Sequence, residues 1–244
     1  MRFSVFALSS VPDTATTRQL FDLDDLDDKS VSKVLFHRRK QQTGSSEVLR
    51  WDQRAIASLT LIQHSVQNVN IESMNLSTHS EAEMLHAFFS AILRDGRMVS
   101  WGGAEGGIPL VHFRALMHTV SCPAYWQSLK TRGEVHLDIR GWLSPPTGDS
   151  PGLDETARKL GFPGLGGRTE NDVLDAWLKG RHDEVQAFSD VSALNTYLLA
   201  LRLFSVTGEL TRHDNVRVKD RLRDELTCRK DAHLAEFLSG WRKG

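Results

Sequence analysis

The groups in this chain that could do chemistry are ten histidines, two cysteines and thirty-one acidic side chains, set among eighteen glycines. Zinc needs paired ligands at fixed spacing, as in HExxH or Cys–His motifs. His79 and His86 stand seven apart, His112 and His118 six apart, and Cys122 and Cys228 form no such pair. No Gly-x-Ser-x-Gly elbow marks a serine nucleophile, and Ser9-Ser10 has no local base beside it. Gly102-Gly103-Ala104-Glu105-Gly106-Gly107 lies between an apolar stretch and a helical one, where a phosphate-binding turn would sit. Yet Ile108 stands where a P-loop carries Lys, and Ala104 stands where a dinucleotide fingerprint needs Gly. The segment reads as a tight turn into a helix. The five aspartates of residues 20–28 lack the glycine and the closing glutamate of a calcium loop, so they read as a solvated acidic segment. The basic block His37-Arg38-Arg39-Lys40 reads as a solvated helix end.

The elements that must position these residues follow from composition and period. Of 244 residues, 40% are hydrophobic and 25% charged, as in a folded globular chain. Thirty basic against thirty-one acidic residues give a net charge of −1, which excludes a globally basic nucleic-acid binder but not a local basic groove. Two cysteines exclude a disulfide framework and favour a reducing compartment. No run reaches the roughly 18 apolar residues of a membrane span. The apolar N-terminus reads as a strand, not a signal segment. A cytoplasmic protein without a membrane partner is expected.

Alternation predicts strands at 2–9, 55–63, 66–72, 97–101 and 134–139. Ser80 and Glu83 make a capping box that opens a helix to about Arg94. Further helices are predicted over 109–120, 153–160, 170–179, 181–207 and 216–239, with 161–168 as a loop. Strands first, then alternation, then helices predict an α/β fold with a mixed five-stranded sheet and a helical C-terminal part. One domain over 1–244 is expected, with 1–210 as its core and 211–244 as a helical extension packed on it.

Three segments carry a resemblance. Val5-Phe6-Ala7-Leu8-Ser9-Ser10-Val11-Pro12-Asp13 is similar to a strand bearing F-D-I-E-T-V-P-D. Ser100 to Pro109 is similar to N-G-R-G-F-D-L-P. Ala187-Phe188-Ser189-Asp190-Val191-Ser192-Ala193-Leu194-Asn195-Thr196-Tyr197-Leu198-Leu199 is similar to A-Y-C-E-Q-D-V-L-N-T-Y-L-L. Together they resemble the predicted 3′–5′ exonucleases related to the proofreading domain of family-B DNA polymerases, in the DEDD, ribonuclease-H-like superfamily. The resemblance implies a ribonuclease-H-like sheet with a cleft over the carboxyl ends of its central strands.

In such enzymes four carboxylates hold two divalent metals that activate water against a phosphodiester. The resemblance places those positions at Ala7, Ser9, Gly107 and Ser192, and Phe188 where the family carries tyrosine. None of these residues is charged. The expectation is therefore a pseudo-exonuclease, needing no cofactor, that acts as a nucleic-acid-binding or regulatory module. Trp101, Arg168, Arg217, Lys219, Arg221 and Arg223 are candidate contacts to single-stranded nucleic acid. Two alternatives stand beside it. One is an active 3′–5′ exonuclease that binds magnesium or manganese through relocated acids, Glu105 and Asp138. The other is a protein–protein scaffold or complex subunit.

Overall fold

A computed structural model describes residues 1–65, 67–131, 135–144 and 150–241. At its centre β1 (Phe3–Pro12) pairs antiparallel with β2 (Arg54–His64), which pairs antiparallel with β3 (Val69–Asn75). On the other side β4 (Met98–Ser100) runs parallel to β1, and β5 (His136–Asp138) parallel to β4. The order is β3-β2-β1-β4-β5, a mixed five-stranded sheet as expected. Because side chains alternate across a strand, β1 serves two cores. Phe3 and Val5 face one, and Phe6 faces the other.

Helices cover both faces. α1 (Thr14–Phe21) and α2 (Asp28–Thr43) follow β1. On the Phe6 face lie α3 (Glu81–Asp95), α4 (Ile108–Met117) and α5 (Pro123–Thr131). The capping box is formed: Ser80 N donates to Glu83 Oε2 at 2.7 Å, and Gly96 closes α3 in the left-handed conformation. On the Phe3 face, α6 (Ile139–Leu143), α7 (Leu153–Lys159), α8 (Glu170–Leu178) and the 25-residue α9 (His182–Val206) are followed by α10 (Arg212–Cys228) and α11 (Ala232–Gly240). Val218, Leu222, Leu226 and Phe237 of the last two helices share a core with Phe3 and Val5. Among the described residues no helix is long and apolar enough to cross a membrane.

Several boundaries differ from the sequence expectation. β1 continues to Pro12 because its ladder with β2 resumes after a register shift at Ser9/Ser10. The third strand runs 69–75 instead of 66–72, and Val66 lies outside the described residues. The expected strand 134–139 is shorter, since Asp138 turns the chain into α6; Glu134 lies outside the described residues. The helix expected over 216–239 is two helices. The charged run Arg229-Lys230-Asp231 adds no residue to the core, and Asp231 starts α11 afresh so that Leu234 and Phe237 can face it. Residues 20–28 close α1 and start α2, where the Asp27 side chain accepts from Ser30 N at 2.8 Å.

Candidate functional site

Sheet register sets the polarity of the surface that α9 covers. Ser9 pairs with Ser58 and Ala7 with Thr60; Ser58 pairs with Asn75 and Thr60 with Ser73. Further along, Val5, Ile62 and Ile71 make an apolar row. α9 answers row by row. Ser189 Oγ lies 2.7 Å from Ser9 Oγ and 2.6 Å from Ser58 Oγ, and all three residues are buried. Ser9 and Ser58 also reach the Val185 carbonyl, at 3.4 and 3.3 Å.

One residue on, Asp190 Oδ1 accepts from Thr60 Oγ1 and Ser73 Oγ, each at 2.7 Å, and from Gln186 Nε2 at 3.0 Å. Its Oδ2 lies 2.9 Å from His233 Nε2 on α11. Burial pushes this carboxyl up, but the bonds from His233, Ser73 and Thr60 outweigh it and hold the group below the ordinary aspartate value. Ser192 is three residues beyond Ser189, about 60° round the helix axis from it and on the flank away from Asp190. Asp190 therefore faces β2 and β3.

The glycine-rich turn is a π-helical turn, Gly103–Gly107, that leads straight into α4. Asp138 holds it from β5: its carboxylate accepts from Gly102 N at 2.7 Å, Ala104 N at 3.0 Å, Arg140 N at 3.0 Å and Gly141 N at 3.4 Å. Both Asp138 oxygens are thus used in capping two elements at once. Glu105 points outward, 80% exposed, with Oε2 3.6 Å from Arg140 Nη1. Gly107 is packed: a Cβ built there would lie 3.2 Å from Phe6 Cε2 and 3.8 Å from Leu8 Cδ2.

At the positions that the resemblance implies, the chain presents a methyl at Ala7, hydroxyls at Ser9 and Ser192 and a hydrogen at Gly107. Phe188 packs against the apolar group of Val11, Val173 and Val185. Divalent metals of the magnesium class take several oxygen ligands, preferably carboxylates. The Ser9 hydroxyl is already engaged, and Gly107 has Phe6 against it. This donor set does not fit a two-metal centre. Among the described residues no group of three or more His, Cys, Asp or Glu is arranged to hold a metal ion.

A second polar cluster, between β1 and α4, was not legible as such. Arg114 Nη1 lies 2.5 Å from Asp13 Oδ2, and Arg114 Nε lies 2.7 Å from Glu81 Oε1. Its Nη2 also pairs with Glu81, which accepts from Ile56 N and His118 Nε2, both at 2.7 Å. Asp13, Glu81 and Arg114 are all buried. Burial pulls the Arg114 guanidinium down, yet Glu81 and Asp13 together raise it above the usual arginine value. The sequence offered only Asp13 at the end of the first resembling segment and, beside Glu81, the capping box of Ser80 and Glu83.

The candidate nucleic-acid contacts do not form one surface. Trp101 is half-buried beside the glycine turn, packed against the α9-side core. Arg168 pairs with Glu236 of α11 at 2.5 Å. Arg217 pairs with Asp214 at 2.8 Å and, with Met1 and His64, lines a small cavity of about 70 Å³. Arg221 is near enough to His64 for its charge to disfavour protonation there, while Lys219 and Arg223 lie over the rings of Phe162 and Trp241. α10 thus starts where β1 starts. Six residues along β1, roughly 20 Å, separate Phe3 from Ser9.

Neither Arg140 nor Trp142 is among the site residues expected from the sequence. The Arg140 side chain lies across Gly102, and Trp142 is 55% exposed on α6, directly after β5. Both follow β5 at its carboxyl end, and Arg140 lies beside the turn.

A family model described as "Predicted 3'-5' exonuclease related to the exonuclease domain of PolB" matches residues 46–241 of the 244. Gly107, Phe188 and Ser192 fall inside the match, and Ala7 and Ser9 precede it on β1. No curated protein matches the chain.

Proposed function

We propose, from the premise that the chain belongs to the family of predicted 3′–5′ exonucleases related to the exonuclease domain of PolB, that it is a pseudo-exonuclease. In this reading it binds single-stranded nucleic acid at the carboxyl edge of the sheet without cutting it. The observation that carries the reading is the closed hydroxyl set Ser9–Ser189–Ser58 at the end of β1. Neutral hydrogen bonds fill the place where a metal-bearing carboxylate would have to stand. The relocated acids offer little in exchange. Asp138 spends both oxygens on backbone N–H groups, and Glu105 turns outward to Arg140.

Binding is supported by what lines the same edge. Four missing carboxylates remove repulsion against phosphate. Arg140 supplies a cation over the glycine turn, and Trp142 an exposed ring on which a base can stack. In single-strand binding proteins such stacking contributes about 1–3 kcal/mol per base.

The test is an end-labelled single-stranded oligonucleotide incubated with the protein and manganese, which tolerates poor ligand sets. The oligonucleotide should stay full-length, should bind with an affinity that falls as salt rises, and should bind several-fold more weakly to Trp142→Ala. Stepwise shortening that EDTA stops, and that Glu105→Ala or Asp138→Ala abolishes, would overturn the reading in favour of a rebuilt metal centre. An intact but unbound oligonucleotide would pass the role to a protein-binding scaffold.

A further inference from the structure

The far side of α9 and α10 carries cations arranged differently from ordinary surface charges. Arg202 is on the C-terminal half of α9, and its guanidinium lies 5.5 Å from the centroid of the Phe162 ring. Lys219 of α10 reaches the same ring, its Nζ 5.8 Å from the centroid. One turn further along α10, the Arg223 guanidinium stacks 3.8 Å over Trp241, which is itself buried and in edge contact with Phe237. Three cations from two helices thus converge on two aromatic rings.

Arg202 and Arg223 are the charged neighbours that weigh most on Lys219. Burial first, then these two neighbours, push its ammonium below the ordinary lysine value. Among the described residues neither Arg202 nor Lys219 makes an ion pair with a carboxylate. By contrast, Arg158, Lys159, Arg168, Lys179, Arg181, Arg217 and Arg229 each pair with one.

We propose that Arg202, Lys219 and Arg223 form a second, phosphate-binding site on the α9–α10 face, separate from the carboxyl-edge cleft. Guanidinium groups present paired donors matched to phosphate oxygens, and the lysine adds a point charge. The rings hold the three side chains in place, which lowers the ordering cost of binding. Lys219 and Arg223 are four residues apart, about 5–6 Å on a helix surface, so two neighbouring phosphates of one chain can be held together. The shared chemistry is a run of phosphates, from a nucleic-acid strand or from a free polyphosphate. The site does not depend on the cleft reading.

The experiment measures anisotropy of a labelled single-stranded oligonucleotide across a salt series, using wild-type protein, Arg202→Gln/Lys219→Gln and Trp142→Ala. Inorganic pyrophosphate serves as competitor. The double variant should bind several-fold more weakly, and its log–log salt slope should shrink by about 1.4, two contacts at roughly 0.7 each. A double variant with unchanged melting temperature, affinity and slope would overturn the site. Weakening by Trp142→Ala alone would sink this inference and leave the cleft standing; weakening by the double variant alone would do the reverse.

A second measurement uses wild-type protein only. Lys219 should be protected from acetylation, read by mass spectrometry, when phosphate ligand is present. Protection by oligonucleotide alone identifies a strand as the source, and protection by pyrophosphate as well identifies phosphate in general. Protection by neither overturns the proposal.

Discussion

A serine at position 9 donates one hydrogen bond and accepts others, and Ser189 meets it at 2.7 Å with Ser58 beyond it at 2.6 Å. A glutamate there would carry a negative charge among hydroxyls and the Val185 carbonyl, at a desolvation cost of several kcal/mol. The row therefore fits its neutral side chain. At the other end of the β1–β2 ladder, His64 of β2 makes the same commitment to a neutral side chain. It stacks on Phe3 with centroids 4.4 Å apart and shares a 2.8 Å hydrogen bond between Nδ1 and the Tyr197 hydroxyl. Burial, then the N-terminal ammonium and Arg221, push its pKa from 6.5 to about 4. The folded state thus favours neutral His64, and the unfolded state takes up the proton first as pH falls. Stability from this group is complete above pH 6.5, declines as pH drops and is lost on passing through about 4. Urea titrations at pH 7 and pH 4.5 should show wild type losing about 2–3 kcal/mol more than His64→Gln. Equal losses in the two proteins would refute the assignment.

α9 shows how much of an element can be read before its neighbours are known. Its length, from 181 to 207, was legible from an unbroken run without Gly or Pro. The direction of Asp190 was legible too. Two residues before Ser192, it must point about 200° away from it, and it faces Thr60 and Ser73. Its partners were not legible, because β2, β3 and α11 lie far off in sequence and sheet register alone aligns them. The same limit explains Arg168, whose partner Glu236 is 68 residues away. It also explains the missed break between α10 and α11, since Val218, Leu222, Leu226, Leu234 and Phe237 keep up an apolar pattern across the turn. Asp190 now joins three elements by four side-chain donors. Asp190→Ala leaves Thr60, Ser73 and His233 without this acceptor, so it should cost roughly 3 kcal/mol or more. Thermal denaturation should show the loss, and amide exchange should quicken first in α11. Asp190→Asn, which keeps one acceptor, should lose less. A melting temperature unchanged in Asp190→Ala would show that β2 and β3 hold α9 without the carboxylate.

In the proposed reading, the positions that the resemblance assigns to the family site differ on three elements of the molecule, each in its own way. On β1, hydroxyl bonding closes Ser9; at the head of α4, Phe6 lies against Gly107; and on α9, Phe188 turns into an apolar cluster with Val11 and Val185. Changes this dispersed are hard to offset with one relocated acid, because a two-metal site needs ligands from several elements at once. Stability gives a test of that argument that does not depend on turnover. A metal bound only by the folded protein raises its stability by RT ln(1 + [L]/Kd), about 1.4 kcal/mol at a tenfold excess over Kd. For a chain of this length that is a rise of roughly 3–6 °C in melting temperature. Millimolar manganese, compared with sodium chloride at equal ionic strength, should leave the melting temperature within about 1 °C. A rise of several degrees that EDTA reverses would reveal a metal site even if no oligonucleotide were cut. If Glu105→Ala or Asp138→Ala removed that rise, the site would be traced to the relocated acids. If Arg202→Gln/Lys219→Gln still showed no rise while oligonucleotide binding was weakened, phosphate binding would be independent of any metal. The molecule would then be an exonuclease fold that recognises its ligand through cations and aromatic rings.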